Sequence, residues 1–259
     1  VRNLKFINAN KTVLNSVLGI SWFWFFGAIF LVQIPSYSQN VLGGSEGLMS
    51  VLLAMFIVGI STGSLLCEKL SGKQVEIGLV PFGAIGLTLF GIDLYFASPQ
   101  PGSSGVTASL FFSEAANWRI VCDLVMLGVF GGFYTVPLYA LIQQRTAAAY
   151  RSRVIAGLNI LNSLFMVVSA VMAMILLGEA GFSIPQVFLV TAILNAVVAV
   201  YIFTLVPEFL MRFLAWIYVA LMYRVGSVGV EENVPDEGPA LLVCNHVSFV
   251  DALVILAAS

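Results

Sequence analysis

TVLNSVLGISWFWFFGAIFLVQI, Thr12 to Ile34, carries no charged residue from end to end. A helix crossing the hydrocarbon of a bilayer needs about 20 mostly apolar residues. Lipid offers no water to unpaired backbone groups, so an apolar run of this length satisfies its own N–H and C=O groups as a helix. Working outward, five more stretches meet the same test: Leu48 to Cys67, Ile77 to Ala97, Trp118 to Ile142, Val154 to Leu177 and Val187 to Val206. The fold expected is therefore an all-α polytopic membrane protein with six transmembrane helices.

Composition agrees. The chain is 60% hydrophobic and 9% charged, where a soluble domain carries about 25% charged residues. This argues against a water-soluble globular fold. The formal net charge of −2 gives no sign of a nucleic-acid partner. Cys67, Cys122 and Cys244 are odd in number and far apart, so they suggest neither a metal site nor a disulfide framework. Cys67 and Cys122 read as apolar filler. No signal peptide is visible. The first residue is Val1 and the last residues lie in an apolar run, which leads us to expect a fragment of a longer protein.

The connections between spans are short except for SPQPGSSGVTASLFFSEA, Ser98 to Ala115, whose Pro, Gly and Ser content reads as a solvated loop. Arg2, Lys5, Lys11, Lys69, Lys73, Arg145, Arg151, Arg153, Arg212 and Arg224 all fall on one side if every span crosses; only Arg119 falls on the other. The positive-inside rule makes the first side cytoplasmic. Both ends of the six-span bundle, residues 1–206, are then cytoplasmic.

The pattern changes after Pro207. Phe209 to Tyr223 is apolar but shorter than a span, with Arg212 inside it. It reads either as an interfacial helix or linker over 207–224 or as a continuation of the sixth span. From Val225 come short strand-like runs and the turn residues Pro235, Gly238 and Pro239. Residues 225–259 are expected to begin a cytoplasmic α/β domain.

That region ends in ALLVCNHVSFVDAL. Ala240 to Cys244 reads as a buried strand. Ser248 is a good helix N-cap, with Asp251 three residues on, which is the spacing of a capping box. His246, the single histidine, then sits at a strand-to-helix turn, with Asp251 in the first helical turn. A neutral imidazole can take a proton from an alcohol. A carboxylate on its other nitrogen fixes the tautomer and stabilises the imidazolium. The plainer alternative is that Asp251 only caps the helix and His246 is a turn residue. GPALLVCNHVSFVDAL resembles the first motif of the glycerolipid acyltransferases, Asn-His-x4-Asp, with its preceding Gly-Pro and apolar strand. The resemblance implies that His246 is the general base for the glycerol hydroxyl of a lysophospholipid and that Asp251 orients it. The family's later motifs would lie beyond Ser259, so this truncated stretch alone is expected to be inactive.

Six spans with both ends on one side match one half of a twelve-span transporter. GSLLCEKLSGK, Gly63 to Lys73, is similar to a loose form of the loop motif of the major facilitator superfamily, in which Gly63 would let two helices approach. Glu68, Lys69, Gly72 and Lys73 match by type, and the loop is one residue longer than the usual pattern. Gly59 and Gly63 also form a G-x-x-x-G, which suits helix packing. GGFYTVPLYALIQQRTAAAYRSRVIAGLNILNSLFMV, Gly131 to Val167, resembles the bacterial lysophospholipid transporters of that superfamily. Some of these are fused to an acyltransferase and then to an acyl-acyl carrier protein synthetase. The order here, transporter half followed by acyltransferase start, is the order of that fusion.

Polar residues inside the spans are candidates for a substrate path. Asn159, Asn162, Ser163 and Met166 share one helical face; interhelical hydrogen bonding is the alternative. Asp123, with Arg119 one turn before it, is either an intramembrane functional carboxylate or half of a local ion pair. Asp93 reads as wetted, and Asn15 and Gln33 as interfacial. Gly128, Gly131, Gly132 and Pro137 loosen the fourth span.

The function expected is transport of lysophosphatidylethanolamine or lysophosphatidylglycerol across a bacterial inner membrane, coupled to re-acylation of the glycerol hydroxyl. No metal or bound cofactor is expected. The acyl donor, acyl-acyl carrier protein or acyl-CoA, would be a co-substrate, with acyl carrier protein as a partner. The alternatives are a major facilitator transporter of another solute, or an anchored acyltransferase whose bundle transports nothing.

Overall fold

The computed structural model describes residues 11–70, 78–99 and 105–205, and beyond them only 215, 218, 219, 221–223, 250, 251, 253 and 254. The bounded α-helices among the described residues are α1 Lys11–Asn40, α2 Glu46–Leu70, α3 Leu79–Ala97, α4 Ala108–Ser113, α5 Asn117–Arg145, α6 Arg151–Met174 and α7 Ile184–Leu205. All except α4 are long and apolar enough to cross a membrane, and α6 counts together with the turns at its two ends. Among the described residues there is no strand, only an isolated parallel bridge between Gly44 and Val106. The expected six-span helical bundle is present.

The chain divides into two compact units, Val1–Ile202 and Phe203–Ser259. In the second, Val254 N–H donates to Val250 C=O at 3.0 Å. That is an α-type bond, and Asp251 stands within this helical turn. His246, Ser248, the expected strand and most of the expected linker lie outside the described residues, as do Gly72 and Lys73.

In the first unit α5 is central and α6 peripheral. Some 67% of the apolar stretch of α5 is buried, against 17% for α6. Small residues explain the first figure. Gly59 and Gly63 of α2 face Gly128 and Gly132 of α5, so that two G-x-x-x-G faces meet. A Cβ added at Gly63 would strike the Val129 backbone, and one at Gly128 the backbone of Phe56 and Ile60. With no side chain between them, the two backbones touch and gain dispersion contact over the whole crossing. On its other side α5 meets α3, where Gly83 lies against the Tyr134 backbone and Gly86 against the Phe130 ring. Rings fill the remaining core: Phe30 stacks on Phe188 at 4.6 Å, and Tyr37 meets Phe188 edge-on.

Helix α6 shows the opposite pattern. Val154, Leu158, Asn162, Ser169 and Ala173 make one narrow buried stripe. Ile155, Ile160, Leu164, Val167, Val171 and Met174 are exposed, as suits a surface facing lipid or another apolar helix.

Three local features differ from the sequence-based expectation. Helix α1 runs past Ile34 and through Pro35 to Asn40. The second half of the expected loop folds into α4, because Thr107 accepts from the Leu110 N–H as an N-cap and Phe111 is buried as an anchor. The α6 helix ends in a π-turn, Ile175–Glu179. Gly181, at φ 67°, supplies the left-handed residue that lets Phe182 N–H reach Leu176 C=O at 2.8 Å.

Candidate functional site

Two polar clusters lie inside the bundle. The first joins α1 to α6, α5, α7 and α3 deep within the spans. Asn162 of α6 sits 2.9 Å from Ser21 Oγ of α1. The amide orientation that satisfies both of its ends donates to Leu158 C=O at 3.2 Å and to Ser21, and accepts from Trp24 Nε1 at 3.1 Å. Trp24 Nε1 also lies 3.3 Å from the Tyr139 hydroxyl of α5. Beside this, Asn195 of α7 is fully buried. Its amide donates to Ala84 C=O at 2.9 Å and to Thr88 Oγ1 at 3.0 Å, both on α3. Its oxygen accepts from Trp22 Nε1 of α1 at 2.9 Å. One side chain thus ties three helices together.

The expected polar face of α6 is divided. Asn162 is buried and bonded, while Asn159, Ser163 and Met166 are exposed. Successive residues advance 100° around a helix, so Asn162 lies nearer the Leu158–Ser169 stripe than Asn159 does. Ser163 Oγ returns to the Asn159 C=O at 2.9 Å. Asn159 therefore presents its side chain at the surface of this unit, and Asn162 serves the interior.

The second cluster lies at the end of the bundle formed by the C-terminal ends of α1 and α3 and the start of α5. Arg119 of α5 makes a two-pronged ion pair with Asp93 of α3: Nε reaches Oδ2 at 2.9 Å and Nη2 pairs with Oδ1. Both side chains are partly exposed. The expected alternative of a local Arg119–Asp123 ion pair is corrected by this arrangement. The guanidinium fork matches a carboxylate edge-on, and the carboxylate that offers its edge is on the neighbouring helix. Asp93, expected to be wetted, is half-exposed and paired. Asp123 is buried, at 1% exposure, and its Oδ2 has no hydrogen-bond partner. At the same end of the bundle, the Tyr37 hydroxyl of α1 and Ser98 Oγ share a hydrogen bond of 2.9 Å.

Loop bonds close this end. Gly43 C=O accepts from the N–H groups of Gly105 and Val106 at 2.8 and 2.9 Å, and Ser45 N–H donates to Val106 C=O at 2.9 Å. A small pocket opens there, lined by Leu42, Pro99, Val106, Leu110, Phe111, Glu114 and Asn117.

At the opposite end, Gly63 belongs to the α2–α5 crossing, and Glu68 and Lys69 are exposed in the last turn of α2. Cys67 is buried and Cys122 exposed, and neither is in a disulfide. Asn15 is exposed, as an interfacial residue would be, whereas Gln33 is buried. Among the described residues no cluster of His, Cys, Asp or Glu could hold a metal ion. Sequence reasoning missed Asn195, Trp22, Trp24, Ser21 and Thr88. The available signal was Asn195 itself, the one amide between Val187 and Val206.

The chain has distant homologues. It is 26% identical over 136 residues to the lysophospholipid transporter LplT of Photorhabdus laumondii, covering 52% of this chain and 30% of that protein. It is 28% identical over 131 residues to the LplT of Klebsiella pneumoniae strain 342, covering 50% of this chain and 28% of that one. The corresponding protein of Serratia proteamaculans is 26% identical over 131 residues. The matched region thus spans less than a third of the length of these relatives. No family model and no solved structure matches the chain.

Proposed function

We propose that residues 1–206 are one half of a lysophospholipid transporter of the inner membrane, and that residues 225–259 begin an acyltransferase domain that re-acylates the transported lipid. The observation that carries the transport part is the distant homology to lysophospholipid transporters over half the chain, joined to six apolar helices. In this reading the basic residues other than Arg119 face the cytoplasm, and so does the domain that follows α7. His246 removes the proton from the glycerol hydroxyl, and Asp251 holds the imidazole in the right tautomer. The NHVSFVD motif and the helical turn at Asp251 support this second part. The acyl donor is a carrier-protein or coenzyme A thioester. Joining the two steps in one chain keeps the transported lipid at high local concentration for the enzyme.

The test uses the full-length protein in cells lacking other lysolipid acyltransferases. Labelled lysophosphatidylethanolamine is supplied outside, and labelled diacyl product is followed for wild type and His246→Ala. Uptake of label that stays as lysolipid in the variant supports both parts. Diacyl product at the wild-type rate in the variant would remove His246 from the chemistry. Wild-type cells that gain no label would remove transport.

A further inference from the structure

Helix α4 lies in a segment whose composition reads as solvated, yet the surface it presents is apolar. Leu110 and Trp118 are each 55% exposed, and Phe96, at the end of α3, is 67% exposed. Phe112 is half-buried, with its ring 5.3 Å from that of Trp118. The apolar surface continues down a span. Leu89, Asp93 and Phe96 follow i, i+4, i+7 and share one face of α3, and Leu89 is exposed as well. The one charge on that face, Asp93, is neutralised by the fork of Arg119.

The polar groups of α4 point to the same surroundings. The last carbonyls of a helix have no partner within it and ordinarily take water. Here three successive ones are capped by side chains. Leu110 C=O accepts from Ser113 Oγ at 2.7 Å, Phe111 C=O from the Asn117 amide at 2.9 Å and Phe112 C=O from Trp118 Nε1 at 3.1 Å. A helix end in bulk water gains little from such caps. One at the edge of the hydrocarbon needs them, because lipid supplies no donors. Trp118 spends its single N–H inward, which leaves an apolar ring as its exposed surface. Buried Phe111 fixes α4 to the bundle, and exposed Glu114 sets the end of α4 at headgroup level.

We propose that α4 and its flanks form a lipid-binding ledge. Phe96, Leu110, Phe112 and Trp118 enter the boundary between headgroups and acyl chains of the leaflet at this end, and so hold the bundle at a fixed depth. The occupant is bilayer phospholipid of any headgroup charge, because the surface offered is apolar and aromatic and the ion pair beside it is internally neutral. Continuity favours lipid over a protein partner: the same face of α3 runs from Leu89, within a span, to Phe96 beside the ledge. The ledge requires only that the spans cross a membrane, and it is independent of what the bundle transports.

The test is tryptophan quenching in the full-length protein reconstituted into phosphatidylcholine vesicles. The Trp118 signal is the difference between wild type and Trp118→Phe. Three quenchers are compared: phosphatidylcholine brominated high on its acyl chains, the same lipid brominated near the terminal methyl groups, and aqueous iodide. The ledge predicts the largest loss of Trp118 emission with the high bromines, a smaller loss with the deep ones and little with iodide. Strong quenching by iodide with none by lipid would put α4 in water and overturn the proposal. No quenching by any of the three would mean that protein covers the face, and overturns it too, as does a maximum with the deep bromines. Should Trp118→Phe fail to fold, wild type is reconstituted with phosphatidylcholine carrying a photoactivated diazirine high on one acyl chain. Adducts mapped by mass spectrometry between Leu110 and Trp118 support the ledge, and their absence overturns it.

Discussion

Two seams hold the first unit together, and they are built by opposite means. At the α2–α5 crossing the sequence removes side chains, with Gly59 and Gly63 against Gly128 and Gly132. Where α1 meets α6 and α7 it adds polar ones, joining Ser21, Trp22 and Trp24 to Asn162 and Asn195. In lipid the hydrophobic effect gives helices no reason to associate, so both seams use what remains: close dispersion contact and buried hydrogen bonds. They differ in tolerance. A backbone contact has no slack, because neither helix can yield without moving as a whole. A hydrogen-bonded side chain can rotate or find another partner.

The difference can be broken first at the glycines. Gly63→Leu should cause the largest loss, about 3 kcal/mol or more, because the new side chain meets the Val129 backbone rather than a flexible neighbour. The check is the midpoint of thermal unfolding and the monodisperse fraction in detergent. Asn195→Leu should come next. It strands the Trp22 indole N–H and removes the ties to Ala84 and Thr88, at a cost of about 1–2 kcal/mol. A double-mutant cycle with Trp22→Phe should show the two changes to be non-additive. Asn159→Ala should be smallest, within about 0.5 kcal/mol, because its side chain is exposed. Asn162→Leu at the neighbouring position should exceed it, since Asn162 is bonded inside. Equal effects at Asn159 and Asn162 would erase the distinction between the two sides of α6.

Most of the bundle was legible in the sequence because spanning lipid requires long apolar runs, and these leave a clear record in composition. Gly59 and Gly63 were legible as a packing motif for the same reason. The partner of that motif was not, because spacing within one helix does not say which other helix it meets. The polar residues illustrate a second limit. Four residues of α6 share a face by periodicity, yet burial separates Asn162 from Asn159, and burial depends on where α1 lies. Arg119 looked toward Asp123 in sequence, but its partner in space is Asp93, 26 residues away. Helix α4 was hidden by the composition around it. Pro, Gly and Ser dominate the start of that segment, while the cap at Thr107 and the anchor at Phe111 sit at its end.

The transporter reading is tested most directly by reconstituting the full-length protein into liposomes loaded on their outer leaflet with labelled lysophosphatidylethanolamine. Albumin then extracts whatever lipid remains outside. Transport predicts a fraction protected from albumin that grows with time in protein-containing vesicles, is absent from empty ones, and is lost with Gly63→Leu. Protection no greater than in empty vesicles would contradict it and leave the bundle as an anchor.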